Sequence, residues 1–169
     1  SALIINWLKK PSLKLKYALL SILLLWQAIS VISVYPHFLS YFNEIIGGSR
    51  NGYLYVVDSN LDWGQDLKRL TKWVDNPPTG GKIDKIYVNY FGGGDPSYYL
   101  KEKYAPWWGT NPSTEFPRGN YLAVSATFLQ GGRGVPIKGF SQPSGHYLWL
   151  NNYQPVTVIG NSIFIYYIK

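Results

Sequence analysis

Nineteen consecutive residues, Tyr17 to Tyr35, carry no charged side chain. At about 1.5 Å of rise per residue, a helix of that length crosses a hydrocarbon core about 30 Å thick. The segment therefore predicts a membrane span. Lys9, Lys10, Lys14 and Lys16 precede it with no acid among them, which keeps the N-terminal flank in the cytoplasm and sends everything after Tyr35 to the other side. A buried core helix and a signal-peptide apolar region are the competing readings. A signal peptide has a shorter apolar part and ends in small residues at a cleavage site, whereas this stretch runs into Val34, Tyr35, Pro36 and His37. The chain then divides into a cytoplasmic or interfacial basic flank (1–16), a span with an interfacial extension (17–46) and an extracytoplasmic domain (47–169). In the extension, Phe38, Tyr41, Phe42 and Ile45 share one helical face up to Gly47 and Gly48. Before the span, residues 1–8 read as the tail of an earlier span or as an interfacial piece, and Pro11 as a break.

Composition narrows what the outer domain can do. Of sixteen Lys and Arg, four lie before the span, and the other twelve are interspersed with nine Asp and Glu. Nucleic acid is excluded as a partner because no basic stripe or run exists outside the flank. Cysteine is absent, so the domain has no disulfide framework, thiolate nucleophile or sulfur-based zinc site. About 130 residues suffice for one hydrophobic core. The chain begins at Ser1 and contains no methionine, and it is expected to be the C-terminal piece of a larger membrane protein.

Beyond Gly48 the pattern alternates between strand and helix signals. Tyr53–Val57 reads as a buried strand and Leu61–Val74 as an amphipathic helix with Leu67, Leu70, Trp73 and Val74 inward. Lys85–Tyr90 reads as a strand, followed by a glycine-rich turn and a short helix at Ser97–Lys103. Tyr104–Arg118 reads as an irregular loop, Tyr121–Phe128 as a third strand and residues 129–145 as another loop. A turn at His146–Leu150 leads to a hairpin of Val156–Ile159 and Ser162–Ile168 around Gly160 and Asn161. The expected class is α/β: an N-terminal transmembrane helix, then a small domain of two or three layers with a mostly parallel sheet and a C-terminal antiparallel hairpin.

The densest polar cluster runs from Asp58 to Asp66, where the first expected strand gives way to a helix. In open α/β sheets that is where ligands bind. Asp62 and Asp66 are four apart and would share a helix face, with Asp58 converging from the strand end. Three carboxylates at one point can hold a divalent cation or act on a sugar hydroxyl. Asn60, Trp63 and Gln65 complete the candidate substrate-binding set. Equally, Asn60 can cap the helix, Asp62 can favour its positive end, Trp63 can pack beneath it, and Asp66 can pair with Arg69 or Arg50. Gly92–Gly94 and Gly131–Gly134 invite a phosphate-cradle reading but match no P-loop or dinucleotide fingerprint, so turn chemistry is preferred. Arg133 is kept as a candidate because an arginine in a glycine loop can grip a phosphate bidentately. His37 and His146 have no catalytic or metal spacing around them and read as packing or interface residues.

The succession YPHFLSYFNEIIGG, NGYLYVVDSNLDWGQDL, YFGGGDPSYY, YLAVSATFLQG and PVTVIGNSIFIYYI resembles the C-terminal region of bacterial glycosyltransferases of family 39. These membrane enzymes are related to the protein O-mannosyltransferases and use a polyprenyl-phosphate sugar as donor. The resemblance runs from Tyr35 to the end, and VDSNLDWGQDL is its most specific part. It implies a many-spanning enzyme of the cell envelope whose catalytic acid lies in an external loop nearer its N-terminus, so no catalytic residue is assigned here. The expected partners are the lipid bilayer, the polyprenyl-phosphate sugar and the remainder of the enzyme, and the domain is expected to assist acceptor or donor binding. The alternative is a stand-alone membrane-anchored module for envelope glycans that uses Trp and Tyr platforms.

Overall fold

The computed structural model describes residues 12–78, 80–134 and 144–169. The expectations for residues 1–11, including Lys9, Lys10 and Pro11, and for residues 135–143 of the long loop lie outside the described residues. The chain divides into two compact units, with the boundary between Phe38 and Leu39.

In the first unit, helix α1 (Leu13–Ser33) begins where the Ser12 hydroxyl accepts the N–H of Leu15. This cap satisfies one of the N–H groups that a helix start leaves without a partner. The helix takes Lys14 and Lys16 into its opening residues. It is long and apolar enough to cross a membrane, and Ile22, Leu24, Leu25, Ile29 and Ile32 are all exposed around it. The expected continuation to Ile46 does not form one helix. Pro36 has no N–H to donate and biases Tyr35 away from helical geometry, and α1 ends at Ser33. Two short 3-10 turns follow, Phe38–Ser40 and, in the second unit, Glu44–Ile46, which Asn43 caps by accepting from Ile45 and Ile46.

The second unit is α/β. Its strands are β1 (Ile86–Asn89), β2 (Tyr104–Pro106), β3 (Asn120–Ser125), β4 (Thr157–Ile159) and β5 (Ile163–Ile168). They form one sheet in the order β2-β1-β3-β5-β4. β1 pairs in parallel with β2 and β3, while β5 pairs antiparallel with β3 and β4. The sheet is therefore mixed, with two pairings of each kind. The terminal hairpin forms where it was expected. The strand expected at Tyr53–Val57 is instead a 3-10 turn, Gly52–Leu54, followed by irregular chain in which Leu54, Tyr55 and Val56 are exposed. There the Val56 N–H donates to the Gly52 carbonyl, and the Tyr53 carbonyl accepts from the Gln130 side chain. Bonds to nearby chain and to a side chain thus replace a strand ladder. β2, conversely, lies inside the stretch expected to be a loop.

Among the described residues, three helices accompany the sheet: α2 (Leu67–Asp75), α3 (Pro96–Leu100) and α4 (Ala126–Arg133). Side chains alternate across a strand, so Leu122 and Val124 of β3 join Phe164, Tyr166 and Ile168 of β5 in one apolar cluster. Ala123, Ile163 and Ile165 join a second cluster with Ile86 and Val88. Leu67, Leu70 and Val74 of α2 fill the second cluster, and Ala126 and Leu129 of α4 fill the first. Trp73, expected inward, is partly buried and meets Tyr121 edge to face at 5.4 Å. α2 is shorter than the helix expected from residue 61. α4 was not expected, because its glycines hid a helix behind a strand.

The carboxyl ends of the neighbouring parallel strands β1 and β3 open onto the Tyr90–Gly94 turn and the start of α4. Leu122 sits at the centre of the sheet and is fully buried. Leu122→Ala is expected to lower the unfolding free energy by about 2–5 kcal/mol, read from urea denaturation of the detergent-solubilised chain.

Candidate functional site

Residues 58–66 form a chain of turns held by their own side chains. Asp58 opens it with a left-handed φ of 61°, an uncommon conformation that aspartate tolerates better than most residues. Its N–H donates to Thr127 Oγ1 at 3.0 Å, which ties the segment to α4. Leu61 is buried as the apolar anchor. Asp62 Oδ1 accepts the Gly64 N–H at 2.9 Å, and Gln65 Oε1 accepts the Trp63 N–H at 2.8 Å. The Trp63 indole N–H donates to the Ser59 carbonyl at 2.7 Å, which fixes the ring although Trp63 is 66% exposed. These side-chain-to-backbone bonds compete with helical ones and explain why α2 starts only at Leu67.

Against this segment lies a cavity of about 480 Å³. Asp58, Ser59, Asp62 and Trp63 form one side, Tyr90, Phe91, Gly92 and Gly93 another, and Phe128 of α4 closes it. Phe91 and Phe128 meet edge to face at 5.7 Å, and the Phe91 N–H donates to Ser125 Oγ at 2.8 Å. The cavity thus sits at the carboxyl ends of β1 and β3, where α/β sheets bind ligands, and not at the end of the strand expected near Val57.

Asp62 is 1% exposed, and no hydrogen-bond partner for its Oδ2 is found among the described residues. Burial pushes its pKa up to about 6; the Gly64 N–H pulls it back, the neighbouring Asp66 charge pushes it further up, and the nearby Ser125 hydroxyl lowers it slightly. No partner for the buried Tyr90 hydroxyl is found among the described residues either; burial, then the Asp62 charge, push it up to about 12, and the Gly94 N–H pulls it back. Such orphaned groups are rare in folded proteins and each needs a physical explanation. Two glycines permit the arrangement. Gly64 and Gly92 have φ of 87° and 140°; a Cβ at Gly64 would come within 2.3 Å of the Tyr90 hydroxyl, and one at Gly92 within 2.6 Å of Gly64 Cα. The Gly92–Gly94 turn thus serves backbone contact.

Of the seven candidate residues, Asp58, Asp62 and Trp63 line the cavity. Asn60 and Gln65 do not; Gln65 is used internally, donating to the Leu61 carbonyl and to Asp66. Asp66 does not converge with Asp62 on a helix face, since residue 62 is not helical. It forms an ion pair with Arg69 and accepts the Ser162 hydroxyl at 2.7 Å. Arg133 ends α4 and donates to the Tyr166 hydroxyl at 3.3 Å, outside the cavity lining. Among the described residues, no group of three His, Asp or Glu side chains comes together to hold a metal ion, so the three-carboxylate cation site does not form. The His146 ring lies tilted against that of Tyr147 with centroids 5.0 Å apart, and burial lowers its pKa. Sequence reasoning missed Tyr90, Phe91 and Phe128 as lining residues; the turn after a strand was the available signal. The protein matches no family model, no curated protein and no solved structure.

A carboxyl with a folded pKa near 6 and an unfolded value near 3.8 binds its proton more tightly when folded. Its stabilising contribution is complete below about pH 4 and is lost as pH rises through about 6. Asp62→Asn keeps the Oδ1 acceptor for Gly64 and removes the buried charge. The variant's Tm is expected to exceed that of wild type above pH 6, and the difference to vanish or reverse below pH 4. Gly64→Ala is expected to cost about 1–3 kcal/mol from its backbone conformation alone, with a further loss from the contact with Tyr90, in urea denaturation.

Proposed function

We propose that residues 39–169 are the extracytoplasmic C-terminal domain of a membrane glycosyltransferase that takes its sugar from a polyprenyl phosphate. In this reading α1 is a membrane span with its lysine-rich flank in the cytoplasm, and the cavity beside Asp62 assists acceptor or donor binding. Three features support it. The motif succession around VDSNLDWGQDL resembles that of family 39 enzymes. The apolar side chains of α1 are exposed on all sides, which suits lipid and not water. The cavity combines carboxylates with aromatic rings, as saccharide recognition requires.

The observation that carries the proposal is Asp62. A protein gains stability by replacing a buried carboxylate that lacks a full set of partners, so keeping one in a cavity wall is characteristic of a functional group. Its role here is to hold and orient substrate, with bond-breaking assigned to the rest of the enzyme. A second reading, a stand-alone glycan-binding module, draws support from the exposed and oriented Trp63 ring. An upstream reading frame that encodes further spans separates the two.

Glycosyl transfer from a polyprenyl-phosphate sugar, measured for this chain and for the full-length product of its gene, tests the proposal. Activity is expected only in the full-length protein. There, Asp62→Asn is expected to lower kcat/KM at least about tenfold, equivalent to about 1.4 kcal/mol, while Tm at pH 7.5 does not fall. Activity in this chain alone would overturn the accessory role.

A further inference from the structure

We propose that the cavity beside Asp62 receives an uncharged, hydroxyl-rich sugar ring and excludes the phosphate of a sugar phosphate. The inference rests on the functional reading above and specifies which part of a substrate this domain holds. Its first support is charge. Asp58 and Asp62 are the charged residues of the lining, and no Lys, Arg or His joins them among the described residues. An anion would meet the exposed Asp58 carboxylate and the buried Asp62 carboxylate with no compensating cation in the lining, and repulsion from the buried Asp62 is the less screened. Arg69 and Arg133 are engaged elsewhere, Arg69 with Asp66 and Arg133 with Tyr166.

The second support is the match between the lining and a pyranose. A sugar ring presents aliphatic C–H groups on its faces and hydroxyls around its rim. Trp63 offers an exposed indole whose orientation is fixed by its bond to the Ser59 carbonyl, and Phe91 and Phe128 add apolar wall. Asp62 lies in the same wall, 1% exposed, with Oδ2 unpartnered among the described residues. Carboxylate oxygens accept from hydroxyls, and hydrogen bonds to a charged acceptor are the stronger kind. A volume of about 480 Å³ falls within the range of small-molecule sites. Either protonation state of a carboxyl can bond a hydroxyl.

The test is calorimetric titration of the detergent-solubilised chain with methyl mannoside, methyl glucoside and methyl galactoside, with the corresponding sugar 1-phosphates, with inorganic phosphate and with methylamine. At least one methyl glycoside is expected to bind with a Kd of about 1–10 mM. Its 1-phosphate is expected to bind several-fold more weakly, and phosphate and methylamine not at all. Trp63→Ala should abolish binding without lowering Tm, and Trp63→Phe should retain part of it. The inference fails if no glycoside binds, if a sugar phosphate or methylamine binds as tightly as the best glycoside, or if Trp63→Ala binds like wild type. Transfer by the full-length enzyme separates the two levels. An active enzyme with no glycoside binding to this domain overturns the inference and leaves the function standing. Glycoside binding with no transfer overturns the functional reading and leaves the site.

Discussion

The arrangement of the domain depends on how it satisfies one buried carboxylate, Asp66. A charge removed from water is costly unless ion-paired and hydrogen-bonded, and Asp66 has Arg69 one helical turn away, the Ser162 hydroxyl from the terminal hairpin and the Gln65 amide beside it. Each partner belongs to a different local structure. Arg69 belongs to α2, Ser162 lies just before β5, and Gln65 closes the turn segment. The Ser162 carbonyl in turn accepts the Ala126 N–H at the start of α4. One carboxylate thereby joins the beginnings of two helices to the hairpin turn. A Cβ at Gly160 would overlap the Asp66 carboxylate, so the hairpin turn is shaped around the acid.

From that junction the cavity follows. Gln65, held to Asp66 on one side, accepts the Trp63 N–H on the other, and Trp63 is presented to solvent with its indole pinned to Ser59. The two aspartates four residues apart therefore have opposite circumstances. Asp66 is saturated and structural, while Asp62 has one oxygen bonded to Gly64 and one without a partner among the described residues. Asp66 is enclosed by partners while Asp62 stands in the cavity wall, and proximity to Asp66 raises the pKa of Asp62.

Much of the fold was legible because local signals agreed with the global arrangement. The uncharged segment became α1, Leu67, Leu70 and Val74 marked the buried face of α2, the helix expected from Ser97 corresponds to α3, and Gly160-Asn161 marked the hairpin. The failures have a common cause. Tyr53–Val57 has the composition of a strand but pairs with no strand among the described residues, and Tyr104–Pro106 has the composition of a loop yet pairs with β1. β-structure is a property of pairs of segments, and composition reports only one member of each. The site was half legible for the same reason: Asp58, Asp62 and Trp63 lie in one contiguous polar stretch, whereas Tyr90, Phe91 and Phe128 reach the cavity from elsewhere in the chain.

The sequence by itself determined the existence of the apolar helix, the α/β class and the residues from which a site could be drawn. These depend on hydrophobic period and charge, which are local quantities. Tertiary structure alone decided that the sheet is mixed, that Asp66 is a structural partner and Asp62 a cavity residue, and that Gly92 packs against the backbone of Gly64. Each of those outcomes depends on which distant groups arrive within bonding distance of a side chain. Bringing Ser162 to Asp66 and Gly92 to Gly64 requires the whole sheet to be in place.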